Sequence, residues 1–213
     1  MKNESIRAAI RFAGLVLPLT WTSGSLAAQM QATPRASAYG VSVSTPAVNQ
    51  TSPAAVLPAG EMMATDQAND VTVADLVTAQ NAFAIVNGDL TDGSGAVSTA
   101  TLGAVNILNG LITADGVVAM ASSTAENANA EGSSLASLVV NGVALDDPAP
   151  NTRVDLPGTG YVVLNEQIPT SGGITVNMIH VVLQQPVLDL LGGVIGYQTI
   201  GNIIVGSATS SVY

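Results

Sequence analysis

Three times the chain writes the same phrase: two apolar residues, Asn-Gly, then a short run ending in aspartate. Ile85-Val86-Asn87-Gly88 runs to Asp92, Ile107-Leu108-Asn109-Gly110 to Asp115, and Val139-Val140-Asn141-Gly142 to Asp146. Asn-Gly between apolar runs is the strongest short-range hairpin signal, because both central residues of the favoured turn need positive φ. Such punctuation predicts antiparallel β-structure. A repeated phrase could also mark a β-solenoid, which is the alternative fold. The spacing argues against it: Asn87 to Asn109 is 22 residues and Asn109 to Asn141 is 32, whereas a solenoid needs a fixed period.

The rest of the chain follows the same reading. Tyr39, Val41 and Val43 alternate with Gly40, Ser42 and Ser44, the period of a half-buried strand. Residues 28–36 read as a flexible start. Residues 45–69, with Pro46, Pro53 and Pro58, read as a long loop. Between Val71 and Ala84 the pattern fits a helix face or strands, and its β-branched residues favour strands. Ala96–Leu108 and Leu111–Ser122 read as two long strands flanking Asn109-Gly110. Ala125–Glu131 reads as a surface loop, and Pro148 and Pro150 exclude a central strand from 146–151. Tyr161–Asn165, Ile174–Leu183 and Ile200–Val205 complete the set. Short strands between Gly, Pro and Asn turns predict one all-β domain over 28–213, an antiparallel, jelly-roll-like β-sandwich.

Residues 1–27 read as a secretory signal peptide. Lys2, Arg7 and Arg11 precede a short apolar stretch, Phe12 to Leu19, and Ser25-Leu26-Ala27 supplies small residues at the cleavage site. The whole chain carries a net charge of −10, and this leader contributes +2, so the remainder carries −12. Its bases are Arg35 and Arg153, with no lysine. Nucleic acid and anionic lipid are bound through Lys/Arg clusters, so neither is an expected partner. The chain has no cysteine, so an exported form must be held by its core or by metal. Its few aromatics leave that core to Val, Ile, Leu, Ala and Met, which implies closely spaced layers. They are also too few for the aromatic girdles of an outer-membrane barrel.

Candidate chemistry is sparse. His180, the one histidine, lies in the apolar run Val176–Val182 and reads as a core residue. Glu166 is the best-placed single acid for hydrolysis but has no evident partner. The expectation is therefore no catalytic residue and no cofactor. One metal reading stays open. Asp89, Asp92, Asp115, Asp146 and Asp147 sit near turns, and loops at one end of a sandwich could assemble a calcium site. Aspartate is also simply a good turn residue. Gly192-Gly193, within an apolar stretch, reads as a bend or as a close contact with another subunit. Asp189, Gln198, Asn202 and the glycines of 186–206 argue against a membrane anchor there.

Five segments, in order over roughly residues 100–208, resemble bacterial choice-of-anchor P family proteins. They are Leu108–Val117 ("LLGGLVTADAV" in the family), Leu138–Gly142 ("LTVNG"), Tyr161–Gln167 ("G-x-VVLNEQ"), Ile174–Val181 ("LTVNAIHV") and Ile203–Ala208 ("IVGSA"). The resemblance implies an exported bacterial surface or secreted protein with no catalytic residues to carry over. Ser210–Tyr213 follows the last segment with no sorting motif, so release or non-covalent retention is expected. The leading expectation is a structural or interaction protein of the envelope or extracellular matrix. Its partners would be itself, through strand edges left unguarded by lysine, or other envelope components. The competing expectation is a carbohydrate-binding or hydrolytic β-domain with a loop-borne calcium site.

Overall fold

A computed structural model describes residues 33–89 and 94–213; the proposed leader over 1–27 lies outside them. The chain begins with β1 (Pro34–Ser44), β2 (Asn49–Val56), β3 (Met63–Val73) and β4 (Val77–Asp89). It continues through β5 (Gly95–Leu102), β6 (Val105–Ile107), β7 (Ile112–Ala114), β8 (Gly116–Thr124), β9 (Ala128–Asn129) and β10 (Ser134–Ala136). The last third holds β11 (Val139–Val140), β12 (Val143–Ala144), β13 (Thr152–Leu156), β14 (Gly160–Thr170), β15 (Gly173–Leu188) and β16 (Val194–Val212). All pairings are antiparallel, in a six-stranded sheet ordered β13-β14-β15-β16-β1-β2 and a ten-stranded sheet built around β4, β5 and β8. The predicted all-β antiparallel sandwich is what the chain forms.

Period-two alternation explains the core. In β5, Ala96, Ser98, Ala100 and Leu102 are buried while Val97, Thr99 and Thr101 are not. In β8 the inward set is Val117, Ala119, Ala121 and Ser123. Alanine and serine at facing positions let the sheets converge. Ser98 Oγ donates to Thr209 O across the sandwich at 2.8 Å, and Ser123 Oγ lies 2.7 Å from Ser210 Oγ. A serine side chain reaching the opposite backbone places the sheets locally well inside the usual ~10 Å.

Several expectations need correction. The 45–69 loop contains β2 and most of β3. Pro53 is accommodated at a break in the ladder: β1–β2 pairing passes from Val41↔Ser52 to Tyr39↔Ala54, and the Pro53 ring faces Gly40, where a Cβ would stand 2.8 Å from its Cδ. β3 pairs with β4 along its length, yet before Val71 only Ala64 and Ala68 are even partly buried, so no apolar alternation marks it. The flexible start is wrong for its described end, since β1 begins at Pro34 and lies between β16 and β2. The two long strands of 96–122 are each broken, at Gly103-Ala104 and at Asp115. Asn141-Gly142 is the predicted hairpin turn, with φ of 51° and 77°. Asn109-Gly110 turns between β6 and β7 with φ of 55° and 89°. Asn87-Gly88 is not a turn at all. Both residues pair within β4, and a Cβ on Gly88 would stand 2.6 Å from Leu57 Cδ2. There glycine answers to a close approach rather than to a turn.

Candidate functional site

A line across the six-stranded sheet sets up its polar cluster. Pairing runs Leu164↔Ile179↔Val205↔Val41 and resumes at Glu166↔Asn177↔Ser207↔Tyr39, skipping Asn165, Met178, Gly206 and Gly40 between them. Met178-Ile179, Val205-Gly206 and Gly40-Val41 are successive buried pairs. Asn165 and Gly206 hold φ of 48° and 66°. Two consecutive inward residues per strand reverse the alternation. Asn177, Ser207 and Tyr39 therefore emerge on the face turned away from the second sheet, the face that already carries His180.

There Glu166 Oε2 lies 2.9 Å from His180 Nδ1 and accepts from Asn177 Nδ2 at 2.7 Å. His180 Nε2 lies 3.2 Å from Asn202 Oδ1, and Ser207 Oγ donates to Asn177 Oδ1 at 2.7 Å. Tyr39 joins through Ser207. Glu166 and His180 are about four-fifths buried, with side chains 17% and 19% exposed. Burial chiefly pushes the Tyr39 hydroxyl above the usual tyrosine range. The hydrogen bond from His180 holds the Glu166 carboxyl below the usual carboxylate range, against the opposing effect of burial. The same bond raises His180 above the ordinary imidazole value. A protonated imidazole donates at both ends, to the Glu166 carboxylate and to the Asn202 carbonyl, so every partner is used.

Two sequence expectations are thereby overturned. His180 is not a core residue. The residues on either side of it, Ile179 and Val181, are fully buried, while the imidazole stands on the outer face. Glu166 has a partner, and that partner is His180. Their pairing has the form of a base and its orienting acid. A catalytic triad would need a hydroxyl or thiol at Nε2, and the Asn202 carboxamide occupies that place. What the cluster can do chemically is hold a proton between fixed partners.

The turn aspartates are scattered. Asp89 ends β4, and Asp115 lies between β7 and β8 with its N–H donating to Ala136 O at 3.0 Å. Asp146 and Asp147 follow β12, and Asp92 lies outside the described residues. Among the described residues no group of three or more His, Cys, Asp or Glu could hold a metal ion.

The second notable feature is apolar. Pairing of β14 with β15 ends at Leu183 and pairing of β1 with β16 ends at Asn202. Gln184 N still donates to Thr159 O at 2.8 Å; beyond it Gln185–Leu188 and Val194–Gln198 pair with each other. This two-stranded arm carries Leu188, Val194, Ile195 and Tyr197 exposed, and its tip exposes Leu190 and Leu191 almost completely, at 105% and 96%. Gly192-Gly193 forms the bend, with φ of 82° at Gly192. Asp189 Oδ1 fixes that tip by accepting from Leu191 N at 2.9 Å and Gly193 N at 2.7 Å. The sequence showed the apolar stretch, but only the register shows that it leaves the sheet. Among the described residues no helix is long and apolar enough to cross a membrane. No family model matches the chain, and no curated protein or solved structure matches it either.

Proposed function

We propose that this chain is an exported structural or interaction protein of the bacterial envelope or extracellular matrix, acting through surface contacts and not through catalysis. The observation that carries the reading is the β15–β16 arm. Monomeric soluble proteins rarely expose contiguous apolar patches beyond a few hundred Å², and larger ones mark interaction sites. Here exposed apolar residues occupy both strands and the tip of a ribbon that runs on beyond the pairing of β14 and β1. The leader-like residues 1–27 and the five segments resembling choice-of-anchor P proteins support the location. The closed hydrogen bonding of Glu166, His180 and Asn202 supports a structural role for the polar cluster.

Fractionation of producing cells tests the reading. The protein is expected in the envelope or extracellular fraction, and Leu190→Asp/Leu191→Asp is expected to weaken its retention with envelope or matrix material. A protein confined to the cytoplasm, or an arm variant distributed like the parent, overturns it. A calcium titration of the melting temperature addresses the carbohydrate-binding alternative. A saturable rise would favour a loop-borne site, because a ligand that binds the native state alone stabilises it.

A further inference from the structure

At the end of the six-stranded sheet opposite the arm lies a mainly apolar pocket of about 510 Å³. Pro34, Ala36, Val56, Leu57 and Pro58 line it, with Arg35 and Glu61 as its charged residues. Its size falls within the ~300–1,000 Å³ of ordinary binding pockets. One strand connects the two features. β16 starts at Val194 beside the arm's tip and contributes Ser211 to the pocket wall. At about 3.3 Å per residue that path is roughly 55 Å long, so a chain cannot place its own tip in its own pocket.

We propose that the Leu190-Leu191 tip of one copy seats in the Pro34–Leu57 pocket of the next, joining copies head to tail. The inference rests on the interaction-protein reading and names the partner as a second copy. The occupant follows from complementarity. The tip is apolar and held rigid by Asp189, so little order must be gained on docking. Asp189 is the tip's one charged residue, and the pocket offers Arg35 from β1, one of two arginines among the described residues, while its acid, Glu61, comes from the segment after β2. The contact uses different surfaces on the two copies, so it propagates into a filament or closes into a ring, and does not stop at a dimer. Salt screens the repulsion between copies of strongly negative charge more than it costs the single Asp189–Arg35 pair, which as an exposed pair contributes little, so added salt strengthens the association.

This mode differs from assembly through unguarded strand edges. β1 is an internal strand, and the edge of β2 is partly capped, because Asp66 Oδ2 accepts from Ala54 N at 2.8 Å.

Sedimentation velocity on the purified chain lacking its leader is the test. The parent is expected to grow beyond a dimer as concentration rises, and more so at higher salt. Leu190→Asp/Leu191→Asp removes the tip, and Val56→Arg obstructs the pocket from an exposed position. Each variant alone is expected to be monomeric with an unchanged circular dichroism spectrum. A mixture of the two retains one sound tip and one sound pocket, and is expected to form a heterodimer that grows no further. Parent protein that stays monomeric at high concentration and high salt overturns the proposal, as does a variant that still polymerises. If the parent is monomeric and the tip variant is nevertheless lost from the envelope, head-to-tail assembly fails while the interaction reading stands. If neither effect appears, both fail.

Discussion

Gly206→Ala should destabilise the sandwich by about 3 kcal/mol, and the structure says where that energy resides. Gly206 holds φ of 66°, in the left-handed region. A Cβ there costs roughly 1–2 kcal/mol in backbone strain. It would also stand 2.6 Å from Val117 Cγ1 on the facing sheet, with Met178 Cβ at 3.5 Å behind it. Overpacking of this kind costs about 1–3 kcal/mol. Alanine returns about 0.4–1 kcal/mol by restricting the unfolded chain. In urea, with a slope of about 2 kcal/mol/M, the midpoint should fall by about 1–2 M with the slope unchanged. Val117→Ala separates the two costs. In that background the clash is gone and Gly206→Ala should cost only about 1 kcal/mol, leaving a coupling energy of about 2 kcal/mol. A cost below about 1 kcal/mol in the parent, or equal costs in both backgrounds, would refute the claim that this line is pressed against the second sheet.

Two further predictions concern the polar cluster and the turns. His180 has its native pKa raised above 6.5, so its stabilisation is complete below that value and lost as pH rises through the native one. Glu166 has its native pKa lowered below 4.5, so its stabilisation is present above that value and lost as pH falls through the native one. The pair therefore contributes most between pH 4.5 and 6.5, and His180→Gln should flatten the decline in melting temperature on the alkaline side; an unchanged profile would count against the pairing. Asn141→Ala, at φ of 51°, should cost about 1 kcal/mol, whereas Asn87→Ala, within a strand, should cost less than about 0.5 kcal/mol by thermal unfolding. Equal costs would mean that the two Asn-Gly phrases do the same job.

What could be read in advance depended on how much of each element faces the core. β5 and β8 announce themselves because every second residue is buried, and the central part of β15 because nearly every residue is. β3 does not, because residues 63–70 are largely exposed and their strand character comes only from pairing with β4. The Asn-Gly signal reports a residue's tolerance of positive φ. At Gly88 the demand is instead for an absent side chain, and the same two letters answer it.

The Glu166–His180 pair was hidden for a different reason. Its members are 14 residues apart and meet only when β14 and β15 are in register. A signal did exist. Ser171-Gly172 is a turn dipeptide, and a two-residue loop there puts Thr170 opposite Gly173 and hence Glu166 opposite Asn177. What no local pattern carries is the reversal at Asn165, Met178 and Gly206, which turns Asn177 outward beside His180.

The central claim is that the apolar arm, and not the polar cluster, carries the function. Its most direct test is retention in the envelope fraction, compared side by side for Leu190→Asp/Leu191→Asp and Glu166→Gln, with folding checked for each. Release of the arm variant and retention of the cluster variant is the predicted result. Retention of the arm variant with loss of the folded cluster variant would contradict the account.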